Sequence, residues 1–266
     1  MMKKTNVYVL AIAVFALALL LILSISILPE MSETTPEGSE AFNVPNASPA
    51  PEATPAPDTE ESDLLFLSKR GYVNEHGCPT LVGKVENGGN VSMKEILITA
   101  SFYCGKGKVI GAKDDISAVT SGYIEMEILA PGETSPFKIV LSTEELSRLE
   151  NFDVDKIEKF KVVGDYNLTD EELYKRFEIS QSRGELNNAT GQYTVIGTVK
   201  NTGNETAEQI KVVGTFYDNQ TRIIEVMHTY FEDSLAPGEE AQFEITVHDE
   251  TIAQRIETYS MQAAGS

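Results

Sequence analysis

Apolar and polar residues alternate along much of the chain after residue 63, and two stretches show this alternation most clearly. Their apolar positions are Ile96, Ile98, Ala100 and Phe102 in the first stretch and Ile210, Val212, Gly214 and Phe216 in the second. A period of two is typical of a strand that buries one face. Lys211 and Thr215 occupy the other parity of the second stretch, so we expect that face to meet solvent.

The two stretches belong to a repeat that covers most of the chain after residue 63. A shift of 114 residues places residues 81–110 on residues 195–224 without a gap, and Asn87 then falls on Asn201. About seven short strands in each copy of roughly 90–100 residues are typical of an immunoglobulin-like sandwich. We therefore expect an all-β chain with two tandem immunoglobulin-like β-sandwich domains, residues 64–166 and 177–266.

The pentapeptide LAPGE occurs twice, at residues 129–133 and 235–239, and the two occurrences coincide at a shift of 106 residues. The intervening loop is therefore eight residues shorter in the second copy. Within the pentapeptide, the Pro suits position i+1 and the Gly position i+2 of a type II turn. The Leu that precedes them is expected to fill the core of each copy.

Two short helices are expected from capping-box spacing, in which a Ser or Thr is followed three residues later by Glu. Ser142 and Glu145 carry the first signal. Thr169 and Glu172 carry the second, and we expect residues 167–176 to form a short helical connector between the domains.

The N-terminal part of the chain has a different pattern. Residues 7–28 are 22 consecutive residues without a charge, which as a helix would span the hydrocarbon core of a bilayer. Lys3 and Lys4 precede this run and acidic residues follow it, so we expect residues 1–6 in the cytoplasm and the domains outside the cell. A cleaved signal peptide is the alternative, although its apolar region is usually shorter and ends in a small-x-small site. We expect an uncleaved signal-anchor and a single-pass protein of the cell membrane.

Residues 29–63 contain seven Pro and nine acidic residues but no Lys or Arg. Such a composition cannot bury enough apolar surface to offset the entropy of ordering. Proline and repulsion between like charges make the segment extended. We expect a disordered linker that separates the domains from the membrane.

The whole chain has 41 acidic and 21 basic residues and a formal net charge of −20. Nucleic acids and anionic membrane surfaces attract basic proteins, so this charge argues against both as partners. The membrane contact is instead expected to be made through residues 7–28.

The order of these motifs resembles the FxLYD domain family. Each copy has a glycine and apolar residues before an Asn-containing turn, then a strand with Phe-Tyr, then Leu-x-Pro-Gly-Glu and a Phe-centred strand, over nearly all of residues 70–250. The name-giving motif departs from the family pattern, because residues 100–104 read ASFYC and residues 214–218 read GTFYD. A neighbouring family of archaeal surface sandwiches with the same strand plan is the alternative. The resemblance implies immunoglobulin-like domains of bacterial or archaeal extracytoplasmic proteins, and it implies no catalytic residues.

Candidate chemistry is sparse. The histidines are His76, His228 and His248, and we expect them at the surface or in loops. A Ser–His–Asp arrangement stays open, because such triads are recognised by geometry and not by sequence order. His76, Cys78 and Cys104 supply three soft metal ligands, but a closed zinc site needs a fourth. We expect no catalytic residues, no cofactor and no metal.

Two covalent modifications are expected outside the cell. Cys78 and Cys104 are the only cysteines, and two cysteines in an exported chain suggest a disulfide. The N-x-[ST] patterns that accept N-linked glycans begin at Asn46, Asn90, Asn167, Asn188, Asn204 and Asn219.

Two classes of function agree with these features. The first is a non-catalytic extracytoplasmic module for adhesion, envelope organisation or docking of an unknown surface protein or glycan. The second is a ligand-binding receptor or an enzyme whose site lies in the divergent loop 111–128, which is longer in the first copy.

Overall fold

The structure is a computed structural model, and it describes residues 40–41, 63–104, 116–149 and 152–266. These residues belong to one compact unit, Gly38–Ser266. None of the helices in the described residues has the length and apolarity needed to span a membrane. The predicted cytoplasmic residues 1–6 and the predicted span 7–28 lie outside the described part of the chain.

Most of the described residues lie in strands. In chain order the strands are β1 (Glu40–Ala41), β2 (Leu64–Val73), β3 (Pro79–Asn87), β4 (Ser92–Cys104), β5 (Ile116–Tyr123), β6 (Ile128–Leu129), β7 (Thr134–Val140), β8 (Ile157–Thr169), β9 (Phe177–Asn187), β10 (Gln192–Asn201), β11 (Lys211–Tyr217), β12 (Ile223–Tyr230), β13 (Glu240–Val247) and β14 (Thr258–Ala264). The helices are α1 (Thr143–Ser147), α2 (Glu250–Ala253) and a 3-10 turn at Val154–Lys156.

The strands form antiparallel sheets that lie face to face. One pair of sheets has the strand orders β1–β8–β4–β5, with β6 also on β4, and β2–β3–β7. The other pair has the orders β13–β10–β9 and β12–β11–β14. In the described residues every strand pair joins partners from the same pair of sheets, so we call residues 63–169 the first half and residues 170–266 the second half. The predicted all-β, sandwich-like fold class is confirmed.

The alternation seen in the sequence is confirmed on its apolar side. Ile98 and Phe102 in β4 are fully buried, as are Val212 and Phe216 at the matching positions of β11. The expectation that the other face of β11 meets solvent is wrong, because Thr215 is buried. On that same face the Nζ atom of Lys211 lies against residues of the first half, so the tertiary structure covers a face that the local sequence presents as polar.

A buried asparagine side chain explains why LAPGE is repeated. Asn87 is fully buried at the end of β3, and its Nδ2 donates hydrogen bonds of 2.8 Å to the carbonyl oxygens of Val91 and Leu129. At the end of β10, Asn201 is fully buried, and it bonds Glu205 and Leu235 at the same distance. The first residue of each LAPGE is therefore fixed by an amide from a distant strand.

The other residues of the pentapeptide make the turn itself. In the first copy the N–H of Glu133 donates to the carbonyl of Ala130 at 2.9 Å, and Gly132 has a φ of +77°. This is the predicted type II turn, whose third residue must adopt a positive φ. The carboxylate of Glu133 also accepts a hydrogen bond of 2.8 Å from the N–H of Ala130. The second copy repeats these contacts with Ala236, Gly238 and Glu239.

The first predicted helix is confirmed, and the second prediction is wrong. Helix α1 begins after Ser142, which forms the capping box with Glu145. Residues 167–176 form no helix: β8 continues through Thr169, and Tyr174 exchanges two backbone hydrogen bonds with Gly265. This pairing holds the connector in an extended conformation, which is incompatible with a helix.

The structure describes two parts of the predicted linker, and both are hydrogen-bonded to the first pair of sheets. Within the described residues, Glu40 and Ala41 pair with Phe160 and Lys159 of β8. At the other end of the linker, the carbonyl oxygen of Asp63 accepts a hydrogen bond of 2.7 Å from the N–H of Gly88. The edge of a sheet offers unpaired backbone groups, so an extended segment can add to it without a core of its own.

The Asn201→Ala substitution tests the role of the buried amide. It removes the two hydrogen bonds that Nδ2 donates to the carbonyl oxygens of Glu205 and Leu235, and those that Oδ1 accepts from Tyr174 and Gly203. We therefore expect the free energy of unfolding to fall by about 2–4 kcal/mol in urea denaturation. Asn204→Ala is the matched control, because Asn204 is exposed in the turn that follows, and its effect should stay within about 0.5 kcal/mol. Equal effects of the two substitutions would contradict this role.

Candidate functional site

The two halves pack against each other through a face of the sheet that contains β3. Side chains of a strand alternate between the two faces of its sheet, so a half-buried strand exposes every second residue. In β3 both parities are buried: Leu81 and Val85 face the core of the first half, while Thr80 and Val82 are also fully buried. Strand β12 of the second half contacts β2, β3 and β7 and thereby covers this face.

A buried carboxylate of β12 is paired with two side chains of the first half. The carboxylate of Glu225 accepts hydrogen bonds from Lys138 Nζ at 2.9 Å and from the Tyr72 hydroxyl at 3.2 Å. Burial raises the pKa of Glu225, and Lys138 only partly opposes this effect. Burial and the neighbouring Glu225 raise the pKa of Tyr72 well above its ordinary value. The Lys138 side chain therefore places a cationic group beside a carboxyl group that the junction has removed from water.

At Glu125 the carboxylate belongs to the first half, and its partners belong to the second half. Its Oε2 atom lies 2.6 Å from Lys211 Nζ and 2.9 Å from His228 Nδ1, and its backbone oxygen accepts a hydrogen bond of 2.9 Å from Lys211. The Oε2 atom is buried, and Lys211 and His228 approach it closely but without good hydrogen-bond geometry. Burial alone would raise the pKa of Glu125, but His228 and Lys211 outweigh it and lower the pKa.

Three arginines converge on Asp218, which follows β11. The Oδ2 atom of Asp218 lies 2.7 Å from Arg222, 3.3 Å from Arg70 and 3.6 Å from Arg255. Its Oδ1 atom accepts the backbone N–H groups of Gln220 and Arg222. Burial alone would raise the pKa of Asp218, but the hydrogen bonds from Arg222 and these backbone groups lower it to about 2.

A cleft of about 280 Å³ opens beside Glu125. Glu125 and Glu127 line it from the first half, and Lys211, Tyr230 and Phe231 line it from the second. The Nζ atom of Lys211 lies 5.5 Å from the centre of the Tyr230 ring. The cleft therefore combines an exposed aromatic side chain with groups of both charges.

The structure separates the three histidines. His76 and His248 are exposed, and their nearest polar partners are Glu75 and Gln192. His228 reaches the junction, where Glu125 is its partner. Within the described ranges there is no group of three or more His, Cys, Asp or Glu side chains that could hold a metal ion.

Cys78 is a free, buried thiol in the structure, and the disulfide with Cys104 stays a prediction. The Sγ atom of Cys78 instead lies 3.9 Å from the carbonyl oxygen of His76, within the turn that precedes β3. Burial raises the pKa of this thiol. The side chain of Cys104 lies outside the described part of the chain.

Five predicted glycan acceptors are exposed, namely Asn90, Asn167, Asn188, Asn204 and Asn219, and Asn46 lies outside the described residues. Asn90 and Asn204 occupy equivalent turns in the two halves. The amide of Asn167 donates a hydrogen bond of 2.6 Å to Glu95, so its nitrogen is engaged. Use of these acceptors stays a prediction.

The loop 111–128 is a candidate from the sequence, but no local pattern indicates that Lys211 and His228 lie beside its residue Glu125. Residues 111–115 of this loop lie outside the described part, residues 116–123 form β5, and Glu125 and Glu127 follow. Glu225 had a detectable signal, because it lies in β12 between the apolar residues Ile224 and Val226. No local pattern indicates that Lys138, 87 residues earlier, would be its partner.

No family model and no curated protein matches the sequence, so the resemblance to the FxLYD domains stays a prediction. Red sea bream transglutaminase is 9% identical, and the alignment covers 76% of this chain and 29% of that chain with a TM-score of 0.25. A β-glucuronidase from glycoside hydrolase family 2 is 11% identical over 64% of this chain and 20% of its own, with a TM-score of 0.23. The exo-chitosanase CsxA of Amycolatopsis orientalis is 12% identical over 76% of this chain and 25% of its own, with a TM-score of 0.25. The chain spans less than a third of each of these proteins, and such scores support no conclusion on function.

The Lys138→Met substitution tests the charge compensation at Glu225. It leaves a buried carboxylate without its cation, so we expect the free energy of unfolding to fall by about 2 kcal/mol at neutral pH. A carboxyl group with a raised pKa binds its proton more tightly in the folded state, so stability is lost as pH rises from the unfolded pKa to the folded one. Without Lys138 this window widens, and the effect of the substitution should therefore shrink as the pH is lowered.

Two further variants provide the controls. Adding Glu225→Gln to Lys138→Met removes the buried charge and should recover most of the lost stability at neutral pH. Lys200→Met breaks an exposed pair with Glu240, whose side chains are 38% and 50% exposed, and should leave the free energy of unfolding nearly unchanged. A pH-independent effect of Lys138→Met would contradict the charge compensation between Lys138 and Glu225.

Proposed function

We propose that this chain is a non-catalytic, membrane-anchored module of the cell surface that serves adhesion, envelope organisation or docking of a surface protein or glycan. In this proposal each half is an immunoglobulin-like sandwich domain of the FxLYD type, and residues 7–28 are a signal-anchor that keeps both domains outside the cell. The acidic linker at residues 29–63 separates them from the bilayer.

The observation that carries the proposal is the junction between the halves. Buried titratable groups commonly mark catalytic sites, because catalysis needs perturbed pKa values. Here Glu225 and Asp218 have perturbed pKa values, but each is paired across the junction, Glu225 with Lys138 and Asp218 with Arg70. These carboxylates hold two halves together, and a rigid body of two sandwiches suits a protein that presents a fixed surface to a partner.

Protease treatment of intact cells tests the topology. A protease that cannot enter the cell should release a soluble fragment whose new N-terminus lies within residues 29–63, because this proline-rich segment is the most accessible to cleavage. The N-terminal stub should stay with the membrane fraction. Protection of the second half until the cells are lysed would overturn the orientation, and a secreted protein that begins just after residue 28 would show that the segment is a cleaved signal peptide.

The cleft beside Glu125 supports a second candidate, a ligand-binding receptor or enzyme with a site in the loop 111–128. The loop contributes Glu125 and Glu127 to the cleft, and the second half contributes Tyr230, which is 58% exposed. For this candidate we expect a small molecule that raises the melting temperature of the wild-type chain and fails to do so in Tyr230→Ala. Tyr123→Ala is the matched control, because Tyr123 is 66% exposed and does not line the cleft.

A further inference from the structure

The charge balance at Asp218 is uneven. The guanidinium groups of Arg70, Arg222 and Arg255 all lie within 4 Å of its Oδ2 atom. In the described part of the chain, no other carboxylate forms an ion pair with any of the three. One carboxylate therefore faces three cations, which leaves two positive charges uncompensated in a protein whose formal net charge is −20.

The cluster is built on a buried anchor and opens to solvent. The side chain of Asp218 is 4% exposed and that of Arg70 is 14% exposed, whereas Arg255 is 38% and Arg222 is 54% exposed. Four hydrogen bonds fix Asp218 from its own loop, two from the Arg222 side chain and two from the N–H groups of Gln220 and Arg222. The buried carboxylate thus positions the arginines, and the more exposed guanidinium groups of Arg222 and Arg255 carry the excess positive charge at the surface.

Within the described residues, the side-chain N–H groups of Arg255 donate no hydrogen bond. Its NH2 atom is 3.6 Å from Asp218, too far for a hydrogen bond, and the described residues offer it no other acceptor within an ion-pair distance. Burial and then the charges of Arg255 and Arg222 lower the pKa of Arg70, which shows that the three cations repel one another. An anion at this place would relieve the repulsion and accept the unused N–H groups.

From this geometry we propose that Arg70, Arg222 and Arg255 form a binding site for a tetrahedral dianion, a phosphate or a sulfate group. Guanidinium groups present paired donors that match two oxygens of such a group, and charge-assisted hydrogen bonds are the strongest in proteins. A group with two negative charges compensates the two uncompensated positive charges. The proposal goes beyond the proposed function and does not rest on it.

The site is composite, because its arginines come from distant parts of the chain. Arg70 lies on β2 in the first half, Arg222 lies in the turn between β11 and β12, and Arg255 follows helix α2. Arg70 and Asp218 are 148 residues apart in sequence. Binding of the dianion therefore favours the packed arrangement of the two halves, and it should stabilise the protein against unfolding.

The test is a thermal-unfolding titration of the full-length chain in non-ionic detergent with sodium sulfate or sodium phosphate, at constant ionic strength set by chloride. We expect a saturable rise of the melting temperature in the wild type. In Arg255→Gln the concentration for half-saturation should rise about tenfold, the loss expected for charge-assisted hydrogen bonds. Arg255→Lys keeps the charge and should recover part of the affinity.

Arg183→Gln is the matched control, because Arg183 is exposed and the described residues give it no ion pair. It should bind the dianions as the wild type does. A wild type whose melting temperature rises without saturation, or an Arg255→Gln variant that saturates at the wild-type concentration, would overturn the site. Should Arg255→Gln fail to fold, equilibrium dialysis of radiolabelled sulfate against the wild type and Arg255→Lys replaces it, and equal binding of about zero ions per chain would again overturn the site.

A sulfated oligosaccharide in place of inorganic sulfate distinguishes the two sources of the dianion. Tighter binding of the oligosaccharide at equal sulfate concentration supports the site and assigns it to a group carried on an acidic glycan. Equal binding supports the site and assigns it to the free ion. Both results require the loss of affinity in Arg255→Gln.

Discussion

A buried amide at the end of a strand is the contact on which each half depends. Asn87 and Asn201 are fully buried, and each donates hydrogen bonds to two backbone carbonyl groups, one of them buried. The bonds join the end of one strand to the residue that begins the type II turn. The turn then directs the next strand, β7 or β13, back along β3 or β10. Because the geometry is the same in both halves, the five residues of the turn are the same as well.

The junction between the halves adds a second constraint of a different kind. Burial of Val82 and Thr80 removes apolar and polar surface of β3 from water. Burial of apolar surface is not directional, so it does not by itself fix the orientation of one half relative to the other. The ion pairs fix this orientation, because a buried charge that loses its partner destabilises the fold. The pairs run in both senses, with Glu225 of the second half meeting Lys138 and Glu125 of the first half meeting Lys211. A rotation of one half against the other would break both.

The two candidate binding features also lie at this junction. The cleft beside Glu125 and the arginine cluster at Asp218 each take residues from both halves. Neither feature can form in one half alone, so both depend on the packing of the two copies against each other. The matching of strands and turns preserves the sandwich, while residues that differ between the copies, such as Glu125 and Asp218, make the contacts between the halves.

The sequence alone determined the elements that depend on neighbours a few residues away. The period of two located the buried faces of β4 and β11, the Pro-Gly pair located the type II turns, and Ser142 with Glu145 located helix α1. The tertiary structure decided the rest. It buried Thr215 on a face that reads as polar, held residues 167–176 extended through Tyr174 and Gly265, and joined Arg70 to Asp218 across 148 residues. Local patterns report how a residue suits its own strand or turn, whereas burial at a junction and the partner of a charge depend on which distant surface packs there.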